Sequence, residues 1–233
     1  MSWQGLIRMI WPIRRFIHKM TTPHDAQQIS WSLGETAALA TKAARGTGMP
    51  WGLADETGGA VSWLQGRGMP GLAALCRYLK WRCSGSLARW PDCPADGAFY
   101  CPIAIGTAYM DGALSVELTI ENVREPLLLL PFIAKRNDNQ PMQVNFGNMS
   151  IHLSKNNVFS PYLETTLLIN QAKCTVKNAD DPPGMKPYEF VNRVPSYFFG
   201  CVKALDDFAK KTYAPATEES RLAGAGAGLN DND

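Results

Sequence analysis

Histidine is scarce in this chain: His18, His24 and His152 are far apart, and no two cysteines form a Cys-x-x-Cys pair. A structural zinc site needs four convergent nitrogen or sulfur ligands, so the sequence argues against one. An excess of one charge is missing too. Lys and Arg number 23 against 21 Asp and Glu, a net charge of +2, which leaves no basic surplus to neutralise phosphates and argues against nucleic acid as the main partner. The longest apolar run, Leu127 to Ala134, is interrupted by Pro131 and falls short of the ~20 residues that cross a bilayer. No complete catalytic signature is present. The glycines near the C-terminus lack a following Lys-Ser/Thr and do not sit between a strand and a helix, which excludes a nucleotide fingerprint of the usual kind.

What is present starts with six cysteines, Cys76, Cys83, Cys93, Cys101, Cys174 and Cys201. The chain is larger than disulfide-dense scaffolds and shows no clear secretory signal, so they read as free thiols in a reducing cytoplasm. Cys101 and Cys93 each precede a proline, and a nucleophilic role for either would need a base such as His152; buried structural thiols are the preferred reading. The first nineteen residues carry Arg8, Arg14, Arg15 and Lys19, no acids, and Trp3, Trp11 and Phe16. An amphipathic membrane-surface segment and a targeting peptide are two readings of that stretch. The preferred one is an upstream extension, with the working protein starting at Met20.

Three helices are expected next. In "SLGETAALATKAARGTG", Ser32 and Glu35 have capping-box spacing, Leu33, Ala37, Ala40 and Ala44 share a face, and Gly46 is the expected left-handed stop. "GMPWGLADETGGAVSWLQGRG" places Leu53, Ala60, Val61 and Leu64 at helical spacing, with Gly58 and Gly59 marking a close backbone approach and Gly66 or Gly68 the end. "GMPGLAALCRYLKWR" repeats the Gly-Met-Pro opening. Residues 83–99 read as a connecting loop. "CPIAIGTAYMDGALSVELTI" reads as two strands across a turn at Asp111-Gly112. "EPLLLLPFIAKRNDN" fits either a short buried helix starting at Pro126 or an edge strand. "MQVNFGNMSIHL" and "ETTLLINQAKCTVKN" have β character, "DDPPGMKP" is a loop, and "SYFFGCVKALDDFAKKT" is an amphipathic helix ending before Pro215.

The fold class expected is α+β, with a helical N-terminal segment packed on a mainly antiparallel sheet, a closing C-terminal helix and a Gly-rich tail. Residues 1–30 form the extension. Residues 31–233 form a single domain, with a helical front at 31–82, a β-rich middle at 98–178 and the last helix and tail at 195–233.

Two places carry candidate chemistry. Helical counting puts Glu56 on the apolar stripe of the second helix, where a carboxylate must find a cation or keep its proton. Lys42 and Arg45 on the preceding helix are the expected partners, as an acid/base or substrate-binding cluster or as a structural ion pair. The second place is the tail. Gly224, Gly226 and Gly228 permit an anion-binding nest of amides, with Arg221 adding charge. Asp231 and Asp233, among Asn230 and Asn232, offer hard oxygen ligands for a divalent metal such as magnesium or calcium. Composition alone reads the same tail as disordered. Thr217 fits the cap of a short turn holding Glu218, Glu219 and Ser220.

"SLGETAALATKAARGTGMPWGLADETGGAVSWL" and "TYAPATEESRLAGAGAGLNDND" resemble the two ends of an uncharacterised bacterial family, a domain of unknown function. The resemblance runs from about residue 30 to 233, more loosely around "CPIAIGTAYMDGA" and "PLLLLPFIAK". It implies a bacterial, cytoplasmic protein and implies no activity. Because the familiar pattern includes the Gly-Ala and Asn/Asp ending, it also supports an ordered tail beside the disordered reading. The function expected is small-molecule metabolism, as an enzyme or enzyme subunit binding a small carboxylate or amino-acid-like anion. Lys42, Arg45, Arg221 and the tail glycines would bind the anion, with Glu56 as acid or base. The alternative is a non-catalytic accessory subunit whose tail docks in a partner; a homo-oligomer or a partner enzyme fits either reading.

Overall fold

The computed structural model describes residues 30–84, 99–137, 140–160, 169–182, 184–194 and 200–213. Helix α1 (Leu33–Gly46) starts where the capping box places it. The Glu35 amide donates to Ser32 Oγ at 3.1 Å, and the Ser32 amide donates to Glu35 Oε2 at 2.7 Å. The Ser32 amide, and then the Ser32 hydroxyl, which also donates to Glu35 Oε2 at 2.8 Å, hold the Glu35 pKa below the ordinary carboxylate range. A depressed folded-state pKa adds stability above the unfolded value and loses it as pH falls through the folded one. Glu35→Gln is therefore expected to flatten the acid-side decline of the melting temperature, with both proteins converging at low pH. Thermal denaturation across the acid range checks this.

At the other end of α1 the expectation needs correcting. The left-handed residue is Gly48, at φ 85°, and Thr47 is the cap. Gly46 stays helical and is small for another reason: an added Cβ would overlap the Phe208 carbonyl, 2.7 Å from its carbon. Helix α2 (Trp51–Gln65) lies against α1 through Gly58, whose added Cβ would stand 2.9 Å from the Ala37 carbonyl oxygen. The close approach read from the glycine pair is thus made at Gly58. Helix α3 (Gly71–Ser84) follows, its Leu72 amide donating to the buried Gln65 side chain at 3.2 Å.

The stretch after residue 99 departs from its expected strands. "PIAIGTAYM" is helix α4 (Pro102–Met110), with Pro102 in its first turn and the Cys101 thiol accepting from the Ala104 amide at 3.4 Å. Alternating Ile103 and Ile105 mimic a strand, but Ile103, Ile105, Gly106 and Tyr109 are all buried. A helix apolar on most sides loses the periodicity that separates it from a buried strand. Strand β2 (Leu118–Arg124) comes next. A 3₁₀ turn (Pro126–Leu129) then leads into α5 (Leu130–Arg136), which settles the Leu127 run as helical.

Strands β3 (Met142–Phe146), β4 (Met149–Ser154), β5 (Asn157–Phe159) and β6 (Gln171–Asn178) complete an antiparallel sheet of order β2-β6-β3-β4-β5. Met142, Val144 and Phe146 alternate inward with Gln143 and Asn145 outward, as the period of two requires. A ribbon of β1 (Trp31–Ser32) and β7 (Arg193–Val194) joins distant parts of the chain. Helix α6 (Val202–Ala209) closes the described fold, followed by a 3₁₀ turn (Lys210–Thr212). Buried side chains of the helices and the sheet form one core. The protein is α+β, as expected.

Helices and sheet are also fastened by polar contacts. Lys155 and Asn156 both take left-handed backbone, at φ 48° and 60°, in the β4–β5 turn. Asn156 Oδ1 accepts from Trp63 Nε1 at 2.8 Å, and its carbonyl accepts from Arg67 Nη2 at 2.6 Å. The Arg67 guanidinium lies 3.8 Å from the Trp63 ring centroid, and burial lowers its pKa to about 10.

Candidate functional site

Among the described residues, one ion pair has a fully buried member, and it begins on α3. Arg77 reaches from this helix to Glu125, at the end of β2. Its Nε donates to Oε1 at 2.8 Å and its Nη2 to Oε2 at 2.7 Å, a two-pronged pair. The Glu125 side chain is 0% exposed and the Arg77 side chain 35%. Nη1 of Arg77 donates to no described residue. One edge of the guanidinium is therefore locked inward while part of the group still faces water.

The backbone that holds Glu125 is unusual. Its φ of 47° and ψ of 59° are left-handed, a conformation that costs a non-glycine residue about 1–3 kcal/mol. Asn122, three residues earlier, is left-handed too, at a break in the β2–β6 register. The Glu125 amide donates to the Asn170 carbonyl at 2.7 Å, and the Glu125 carbonyl accepts from the Leu128 amide at 3.0 Å. Both backbone groups are satisfied, so the strain points the carboxylate inward toward Arg77. Burial raises the Glu125 pKa, opposed by the hydrogen bonds and charge of Arg77 and by the charge of Arg124.

Arg124 supplies the second cation. Its guanidinium carbon lies 5.1 Å from the Trp81 ring and 5.4 Å from the Phe99 ring, which meet edge to face at 5.4 Å. Its Nε is buried and makes no hydrogen bond. Arg77 thus pairs directly with the buried carboxylate, while Arg124, stacked on the two rings, acts on it through charge alone and holds an unmet donor.

Next to Arg77 on α3, Tyr78 lies fully buried between the Cys101 thiol and the Arg82 guanidinium. Burial pushes the Cys101 pKa up, away from the thiolate a nucleophile requires, and its sulfur is occupied in capping α4. Burial also raises Cys76, and lifts Cys174 to about 12 and Cys201 to about 11. These are structural thiols.

The residues singled out from sequence are dispersed differently. Glu56 is half-buried and pairs with Lys135 of α5, Nζ to Oε2 3.5 Å, in place of the α1 cations. Arg45 donates to the Met49 carbonyl and stacks 4.1 Å from the Trp51 ring. Lys42 is exposed. Neither Lys42 nor Arg45 forms an ion pair with a described residue. Arg221, Gly224, Gly226, Gly228, Asp231 and Asp233 lie outside the described residues. No group of three His, Cys, Asp or Glu side chains able to hold a metal occurs among the described residues. Nor is any described helix long and apolar enough to cross a membrane.

With α1 to α4 and the start of β2 in place, the chain can be set against known families. Residues 31–123 match the family described as "Protein of unknown function (DUF3726)". The DUF3726 match spans the helical front, Arg77 included, and stops one residue before Arg124. The resemblance of the front end to a domain of unknown function is thereby shown; the tail motif falls beyond the match. No curated protein and no solved structure matches the chain.

Proposed function

We propose that this protein binds a small carboxylate or amino-acid-like anion, as an enzyme or enzyme subunit of small-molecule metabolism, with Arg77 and Arg124 as the anion's receptors. The observation that carries this reading is the unbalanced charge around Glu125: one buried carboxylate pairs with Arg77 and also feels the charge of Arg124. Arg77 has Nη1 uncommitted to any described residue, and Arg124 has an unpartnered buried Nε. A guanidinium held in place presents its donors in fixed geometry, which suits a carboxylate better than a flexible ammonium does. Strained backbone and a perturbed carboxyl at one spot fit the same reading.

Glu56, bridged to Lys135, is the acid/base candidate within this proposal. Arg221, the tail amides and a divalent metal at Asp231 and Asp233 belong to it as further ligands. A bacterial cytoplasm is the proposed setting, supported by the front-end resemblance and by the free thiols of Cys76, Cys83, Cys101 and Cys174.

Arg124→Gln removes one receptor without stranding Glu125, which keeps Arg77. In isothermal titration against small mono- and dicarboxylates and amino acids, the wild type should bind at least one of them. The variant should bind it about tenfold or more weakly, on the scale of a lost charge-assisted hydrogen bond. Circular dichroism should show the same fold. Binding by neither protein, or equal binding by both, contradicts the proposal. A second reading, an interaction subunit, is favoured by the exposed aromatics Trp51 and Tyr213.

A further inference from the structure

The C-terminal end of α1 gathers features that the anion site does not use. Trp51 is 68% exposed and Tyr213 60% exposed, two of the most exposed large apolar side chains among the described residues. Both belong to the same end of the molecule. Gly46 abuts the backbone of Phe208 and Ala209, and the 3₁₀ turn that leads to Tyr213 packs on α1. Trp51 lies five residues beyond Gly46, with Arg45 stacked on its ring.

The charges there are mostly positive. Lys42, Arg45 and Lys211 make no ion pair with a described residue, while Asp206 and Asp207 are engaged by Lys210 and Lys203. Lys42 is three residues before Arg45 and four before Gly46, so it neighbours each of them on the surface of α1. Lys211 sits 5.1 Å from the half-buried Phe208 ring. The Arg45 guanidinium donates through Nη1 to the Met49 carbonyl, while its buried Nε makes no hydrogen bond.

We infer that the Lys42–Arg45–Trp51–Lys211–Tyr213 surface docks a short acidic segment of a partner protein, one that alternates carboxylates with apolar side chains. Charge complementarity selects the acidic partner, because three cations without ion pairs flank two exposed aromatics. The aromatics select the apolar side chains: Trp, Tyr and Arg are the residues that most often dominate binding energy at protein interfaces. Arg45 beneath the indole restrains it before binding, which reduces the ordering cost of association. Aromatics among cations also suit single-stranded nucleic acid. Here a net charge of only +2 opposes a polyphosphate track.

The test uses the full chain and an end-labelled peptide of repeating Glu-Leu-Glu-Phe units, followed by fluorescence anisotropy. The expected result is saturable, salt-sensitive binding that weakens about tenfold in Trp51→Ala and further in Lys42→Glu/Lys211→Glu. Trp51 is exposed at the start of α2, so its removal leaves the fold in place, as circular dichroism should confirm. Equal binding of a matched peptide with Lys in place of Glu overturns the inference. So does preferential binding of single-stranded oligothymidylate, or unchanged affinity in Trp51→Ala. A dimer that Trp51→Ala converts to monomer in light scattering would assign the surface to a second copy of this chain. Affinity gained in Glu218→Gln/Glu219→Gln would assign it to the chain's own C-terminal segment; either outcome also overturns the inference.

Discussion

Arg77→Met should lower stability by about 3–5 kcal/mol, the scale seen when a buried ion pair loses one partner. The reason is the asymmetry of burial. Glu125 is enclosed, and its backbone bonds to Asn170 and Leu128 prevent it from swinging out to water. Left without Arg77, it must keep its proton or remain an uncompensated charge. Glu125→Gln should cost less, about 1–3 kcal/mol, because Arg77 is one-third exposed and can rehydrate, while glutamine keeps the shape.

The pH dependence separates the two variants. In the wild type a raised carboxyl pKa means that stability declines as pH rises from the unfolded value through the folded one. Arg77→Met removes the main influences that oppose the rise, so the folded pKa climbs further and the decline spans a wider range. The gap between wild type and Arg77→Met should therefore grow with pH, whereas Glu125→Gln has no such carboxyl to titrate. Urea denaturation at acid and neutral pH measures both. Equal costs for the two variants, or a gap that shrinks as pH rises, would refute the account of this pair.

Gly46→Ala is the second large effect. The new methyl would overlap the Phe208 carbonyl, which belongs to a helix backbone and cannot rotate away as a side chain could. Helices α1 and α6 would have to separate, at about 3 kcal/mol on the scale of overpacked cores. Gly52→Ala is the contrasting case. Gly52 lies in α2 with no neighbouring atom within 4 Å of an added Cβ, so alanine there should stabilise the protein by up to about 1 kcal/mol. Opposite signs for two Gly→Ala changes in adjacent helices would be read directly from melting temperatures. Similar shifts for both would mean that α6 does not pack against Gly46.

Local chemistry was legible where neighbours in sequence interact. Ser32 and Glu35 are three residues apart, so their mutual capping could be read without tertiary information. The β character of the β3–β4 stretch was legible for the same reason, its alternation being continuous in the chain, although the hairpin itself was not. The α4 segment failed because burial on most sides erases helical periodicity. Glycine near a helix end usually marks a stop, whereas at Gly46 a residue 162 positions away dictates the size. The Arg77–Glu125 pair was illegible. The two residues lie 48 positions apart, and the left-handed turn that aims Glu125 inward has no glycine to announce it. Glu56 is expected on the apolar stripe beside Lys42 and Arg45, but its side chain is 34% exposed and lies beside Lys135 through the packing of α5 on α2. Sequence spacing favours neighbouring helices over that distant one.

The guanidinium pair beside Glu125 is most directly examined by following the Nε–H resonances of ¹⁵N-labelled arginine while succinate is added to the full chain. Binding at this site predicts saturable shifts of the Arg77 and Arg124 signals together, with Arg67 unmoved at its latch on Asn156. Arginine signals that stay fixed throughout the titration, or that move only at residues remote from α3, would contradict it.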